Sequence, residues 1–147
     1  MHKPSKQTLS LDTDTKERAL DLLKRVDNDD VHSPKDIVDE WENPKSTINR
    51  EEKDGLFPQY RGFISPKLIS GSLGMEGRLE THRIKEVLVY LLEGKFEVQN
   101  SFPPVLQKRE GQFYVSTDGH HRCMIAKAIE LDELYVEYTV VPSELLE

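Results

Sequence analysis

The strongest constraint on the fold is a change of period at Asp118. Before it, Gln112-Phe113-Tyr114-Val115-Ser116-Thr117 reads as a strand, rich in β-branched and aromatic residues. After it, Cys123-Met124-Ile125-Ala126-Lys127-Ala128-Ile129 reads as a helix. Between them stands Asp118-Gly119-His120-His121-Arg122. A strand that turns through glycine into a helix leaves backbone N–H groups free at the helix start. With the positive end of the helix dipole, those groups make an anion site. Arg122 adds a planar donor suited to phosphate. Two imidazoles and a carboxylate crowd the same turn, so chemistry is expected there.

The rest of the second half supports a small α/β layer. Ile84, Val87, Leu88, Leu91 and Leu92 recur at helical spacing, which predicts an amphipathic helix over 81–93 with Gly94 as its C′ residue. Pro103-Pro104 lead into strand-like Val105-Leu106-Gln107, and 108–111 reads as a hairpin turn before 113–115. Residues 134–141 form the last predicted strand. Upstream, 63–69 suggests one edge strand or extended segment, because Pro66 has no N–H for a central ladder. A glycine-rich stretch, 71–78, follows.

The first half is sparser. Residues 1–12 read as a disordered tail. Thr13 or Thr15 would cap a helix running to Val26, with Ala19, Leu22, Leu23 and Val26 on one face. Ser33-Pro34 would open a second, short helix, its apolar face made by Ile37, Val38 and Trp41. Residues 45–55 read as loop. Apolar residues are too few here for an independent core. The expected organisation is a helical extension over 1–60 and one mixed α/β (α+β) domain over 61–147.

Composition narrows the function classes. The chain has 147 residues and a formal net charge of −7, which argues against the broad basic surface of sequence-independent DNA binding. No apolar run approaches the ~20 residues of a membrane span, and the charged N-terminus leads into no apolar signal region. The lone Cys123 excludes an internal disulfide and fits a reducing cytoplasm. It reads as a small buried helix residue.

Each site residue has a plain alternative. Asp118 could simply cap the helix, or hold a phosphate-bound divalent cation. His120 and His121 are adjacent, so they do not share a helix face and are not expected to share one metal. Arg122 could pair with Glu130 or Glu133. In the glycine-rich loop Arg78 could point inward at phosphate. Glu80 could face a ligand from the start of the next helix, or merely complement its dipole.

The run from Tyr114 to Arg122, followed by Ala126, Leu131-Asp132-Glu133-Leu134 and Val136, resembles the ParB/sulfiredoxin superfamily. The resemblance covers about 61–142 and is strongest over 112–141. It implies a small mixed sheet with packed helices that binds a nucleotide. Sulfiredoxins carry a turn like Gly-Cys-His-Arg with a cysteine nucleophile; here His120 stands in that place. Chromosome-partition ParB proteins carry a turn like Gly-Glu-Arg-Arg and a following helix-turn-helix, for which a chain ending at Glu147 leaves no room. The turn is most similar to that of ADP-dependent free-serine kinases, Asp-Gly-His-x-Arg. Those enzymes also place a glutamate before the preceding helix as general base, a position that Glu80 fits.

The resemblance therefore implies a cytoplasmic nucleotide-binding protein with the activity of a small-molecule kinase or nucleotide hydrolase. Gly119, His120, His121, Arg122 and Arg78 would contact the nucleotide, with ATP, ADP and CTP all compatible. Asp118 would hold Mg²⁺ or orient His121. Glu80 would take the proton of a small hydroxyl-bearing substrate. Two other readings stand beside it. One is a non-catalytic, nucleotide-responsive module that binds a protein partner through 13–43. The other is a ParB-like DNA-associated regulator or nuclease.

Overall fold

The computed structural model describes residues 7–44, 57–73 and 79–145. Among them are three α-helices and a five-stranded mixed sheet, a mixed α/β fold. The helices are α1 (Thr13–Asp27), α2 (Thr81–Leu92) and α3 (His120–Ala128). The strands are β1 (Gln59–Ile64), β2 (Ile69–Ser72), β3 (Val105–Arg109), β4 (Gln112–Asp118) and β5 (Leu134–Val141). Their order is β1-β5-β3-β4-β2. The pairs β1–β5 and β3–β4 are antiparallel; β5–β3 and β4–β2 are parallel. Among the described residues no helix is long and apolar enough to cross a membrane.

The segment 63–69, expected as one edge strand or extended segment, is split at Pro66 into the ends of two strands. Ile64 ends β1 at one edge, Pro66–Leu68 make a 3-10 turn, and Ile69 starts β2 at the other edge. This connection dictates the shape of the sheet. Four inter-strand gaps span ~19 Å across a flat sheet. The peptide steps from Ile64 to Ile69 reach at most ~18 Å fully extended, and the 3-10 turn shortens them. The pairings Ile64 with Leu134 and Ile69 with Phe113 add a lengthwise offset. The sheet must therefore be rolled, which brings the end of β1 towards the start of β2.

The concave interior is filled by Ile69, Leu106, Val115 and Val136 from the strands, and by Ile84, Leu88, Met124 and Ile125 from α2 and α3, all nearly or fully buried. Each such side chain contributes roughly 1.5–3 kcal/mol on removal from water. The N-terminal segment shares this core: Ala19, Leu22, Val31, Ile37, Val38 and Trp41 belong to the same buried cluster. Helix α1 packs on α2, which packs on α3. Arg18 Nε donates to Ile129 O at 2.8 Å, fastening α1 to the end of α3.

Several local expectations differ from what is seen. Asp12, not Thr13 or Thr15, caps α1; its Oδ1 accepts from the Thr15 N–H at 2.8 Å. Of the tail expected over 1–12, residues 1–6 lie outside the described residues; residues 7–12 are not loose, since the Leu9 N–H donates to Phe96 O and the Val98 N–H to Gln7 O, each at 2.8 Å. The short helix after Ser33 shrinks to a 3-10 turn, Pro34–Asp36. The chain beyond it must run extended, because Glu42 bridges to Gly71 and covers the outer edge of β2. A Cβ on Gly71 would overlap the Glu42 backbone, which is why glycine stands there. The hairpin turn narrows to Glu110-Gly111, both at positive φ, with β3 and β4 running up to it. The boundary expected between residues 60 and 61 falls inside β1. The loop expected over 45–55 lies outside the described residues, as does Arg78.

Candidate functional site

Strand β4 ends at Asp118, and Gly119 caps α3 with φ +94°. Only glycine adopts that conformation without strain. A Cβ at this position would also overlap the side chain of Pro104. The first hydrogen bond within α3 runs from the Cys123 N–H to Gly119 O at 2.9 Å. The N–H groups of His120, His121 and Arg122 precede it and have no helical acceptor.

The start of α2 comes to the same place. Glu80 is its N-cap residue, and the Glu80 N–H donates to His121 Nε2 at 3.2 Å. Two helix N-termini thus converge on one open cleft of about 430 Å³. Glu80, Asp118, Gly119, His120, His121 and Arg122 line it, joined by Arg83, Glu86, Val87 and Thr117.

His121 accepts at Nε2, so its proton sits on Nδ1 and the ring is neutral. Burial pushes its pKa below the ordinary histidine value, against the opposing pull of the Glu80 carboxylate. The His120 pKa is also lowered by burial, with Asp118 opposing. His120 Nδ1 lies 2.8 Å from Ser72 Oγ, and Ser72 is fully buried. The same hydroxyl accepts from Trp41 Nε1 at 3.1 Å. Having accepted from Trp41, the Ser72 hydroxyl still has its proton to give, and His120 Nδ1 is placed to take it. That order goes with the His120 tautomer that carries its proton on Nε2.

Arg122 does not pair with Glu130 or Glu133. Its Nη1 donates to Phe102 O at 2.8 Å, and its Nη2 lies 3.4 Å from Asp118 Oδ2. The guanidinium side chain is 17% exposed while Asp118 is 66% exposed. The pairing of His121 with Asp118 raised from sequence is not formed: His121 clasps the Glu80 amide and Arg122 holds Asp118. Glu80 and Arg83 form an ion pair one helical turn apart. Cys123 is fully buried, and burial pushes its thiol up to about 12, so it is no nucleophile at neutral pH.

Arg83 and Val87 were legible in principle, since they follow Glu80 at i+3 and i+7 on one helix face. Ser72 and Trp41 were not. The only hint was that a buried Trp N–H needs an acceptor.

Comparison with protein-family models, with curated proteins and with solved structures finds no match for this chain.

Proposed function

We propose that this chain is a ParB/sulfiredoxin-like nucleotide-binding protein that takes a magnesium–nucleotide complex and transfers phosphoryl to a small hydroxyl-bearing acceptor. The observation that carries the reading is the convergence of two helix N-termini and Arg122 on one cleft. Phosphoryl transfer asks a protein mainly for positioning and electrostatic stabilisation. The N–H groups of 120–122 and the Arg122 guanidinium supply donors for phosphate oxygens. The Nε2–H of His120 is a further donor.

The charge balance of the cleft bears on the metal. Glu80, Glu86 and Asp118 oppose Arg83 and Arg122, and both histidines are held neutral. A bare polyanion gains little from such a cleft. A phosphate carrying a divalent cation fits, because hard cations take carboxylate oxygen and Mg²⁺ needs only one or two protein carboxylates. Asp118, mostly exposed at the mouth, is the residue suited to hold it, and the ion would offset charge on the transferring group. Glu80 would accept the acceptor's hydroxyl proton, its carboxylate oriented by Arg83.

A second reading, a non-catalytic nucleotide-responsive module, is favoured by one observation. Ser72 couples His120 to Trp41, so a ligand on His120 acts on the N-terminal segment. A protein partner contacting 13–43 would sense it.

The test is thermal unfolding with ATP, ADP and CTP, each with Mg²⁺ and with a chelator. A nucleotide at a hundred times its Kd adds about 2.7 kcal/mol of stability. The expected result is a raised Tm with at least one nucleotide that needs Mg²⁺. No shift with any of them overturns the reading, and turnover against hydroxyl acceptors separates kinase from binding module.

A further inference from the structure

Beside the cleft lies a second, larger cavity of about 560 Å³. Glu86, Val87 and Arg122 line both, so the two are halves of one groove with Arg122 at the join. The far half is formed by Tyr90 of α2 and by Phe102, in the loop before β3. Tyr90 is 56% exposed and Phe102 78%, the highest values among the exposed large hydrophobic side chains of the described residues. Other exposed aromatics are already covered by ring partners: Tyr60 stacks on Tyr138 at 5.5 Å, and Phe63 meets Tyr135 at 5.2 Å. Among the described residues neither Tyr90 nor Phe102 has such a ring partner.

The loop that carries Phe102 is anchored. The Phe102 N–H donates to Asn100 Oδ1, and Phe102 O accepts from Arg122 Nη1, each at 2.8 Å. The guanidinium at the phosphate end thus also fixes the backbone of the ring at the other end. Charge in this half is balanced, Glu86 and Glu97 against Lys95 and Arg122, so it suits a neutral flat ring better than a polyanion.

We infer that this half of the groove is a base subsite: the ring of a nucleotide stacks on Phe102 and Tyr90 while its phosphates lie at the start of α3. The inference rests on the nucleotide reading above and deepens it. Stacking on an aromatic side chain is tolerant of base identity, which fits a site built from ring faces.

Titration calorimetry of wild type, Phe102→Ala and Tyr90→Ala with Mg-ATP, Mg-CTP and Mg-tripolyphosphate tests it. Tripolyphosphate has the charge of the phosphates and no base. Both substitutions lie at the surface, and circular dichroism checks that the variants are folded. Wild type is expected to bind at least one nucleotide more tightly than tripolyphosphate. Each variant should weaken that nucleotide roughly 5- to 150-fold and leave tripolyphosphate unchanged. Tripolyphosphate and nucleotides binding alike, with neither variant affected, would overturn the base subsite and leave the phosphate site standing. A variant that weakens tripolyphosphate equally would also overturn it, since the ring would then act only through Arg122. No binding of any probe by wild type would remove the nucleotide reading and the subsite with it.

Discussion

Ser72 and His120 are 48 positions apart in the chain, and Ser72 Oγ sits 2.8 Å from His120 Nδ1. The hydroxyl is buried and takes its other hydrogen bond from Trp41 Nε1. The contact does three things at once. It fastens β2 to α3, suits the Nε2–H tautomer of His120, and links the cleft to a segment far outside it. Ser72→Ala removes the acceptor of a buried indole N–H and the donor to an imidazole. The expected cost is about 1–3 kcal/mol, the usual penalty for orphaning a buried polar group. Nitrogen NMR should show His120 as Nε2–H in wild type and as a tautomer mixture in the variant. The Nδ1–H form in the wild type would reverse the assigned order of donors.

The histidines also set a pH dependence. Both folded-state pKa values lie below the ordinary value near 6.5, because burial disfavours the charged rings. Below about 6.5 the unfolded chain therefore binds more protons than the folded one, and stability falls as pH falls. The contribution is fully present above the unfolded pKa and is lost as pH drops through the folded values. Asp12 and Asp36 act lower down. Their carboxyls accept backbone N–H bonds and are held below the ordinary carboxylate range, so their contribution is lost only in stronger acid. Urea midpoints should decline between about pH 6.5 and 5, before those carboxylates titrate. A flat midpoint over that range would mean the rings are not buried as described. His120→Asn should flatten part of the slope.

Gly119 carries the strand-to-helix turn for two separable reasons, its positive φ and its contact with Pro104. Gly119→Ala meets both. Strain at a left-handed non-glycine position costs about 1–3 kcal/mol, and Pro104 must shift as well. Chemical denaturation should show a loss at the upper end of that range or beyond. Gly94→Ala is the control: it also has positive φ, but an added Cβ meets nothing within 4 Å. Its cost should be the smaller. Equal losses would leave Pro104 without a role.

What was legible in the sequence followed local periodicity. The change of period across Asp118, the 3.6-residue repeat from Ile84 to Leu92 and the β-branched run 134–141 each rest on neighbours in the chain, and all appear as elements. The cleft was half legible. Gly119 to Arg122 are contiguous, but Glu80 reaches them only because α2 and α3 pack with their starts together. Long-range pairing left no local trace. The split of 63–69 between opposite sheet edges depends on the roll of the sheet, which no single segment encodes. The path of the chain at Glu42 is set by its pairing with Gly71, and it overrode a plausible helical spacing of Ile37, Val38 and Trp41. Arg122 found Asp118 because the pair lies one turn apart at the helix start, closer than either acid at its far end.

The last prediction separates binding from catalysis at two residues of one cleft. Arg122 holds the Phe102 carbonyl and Asp118 and faces both halves of the groove. Arg122→Ala should weaken nucleotide binding by roughly 1.5–3 kcal/mol, the range of a charge-assisted hydrogen bond. Glu80 has a different geometry. Its backbone N–H is clasped by His121 and its carboxylate is paired with Arg83, so the side chain is positioned without being part of the α3 turn. A base moves a proton and need not hold the nucleotide; its loss typically costs 10²–10⁴-fold in rate. Glu80→Gln keeps the shape and the backbone clasp. Nucleotide Kd should therefore change little, and any phosphotransfer should fall by that factor in kcat. The two variants should split cleanly: Arg122→Ala in affinity, Glu80→Gln in turnover. If Glu80→Gln leaves turnover intact, Glu80 is only the cap of α2. If wild type with Mg²⁺, nucleotide and a panel of small hydroxyl acceptors shows no turnover at all, the cleft binds without transferring. The Trp41–Ser72–His120 connection then becomes its output, to be followed as a change in Trp41 fluorescence on nucleotide binding that Ser72→Ala abolishes.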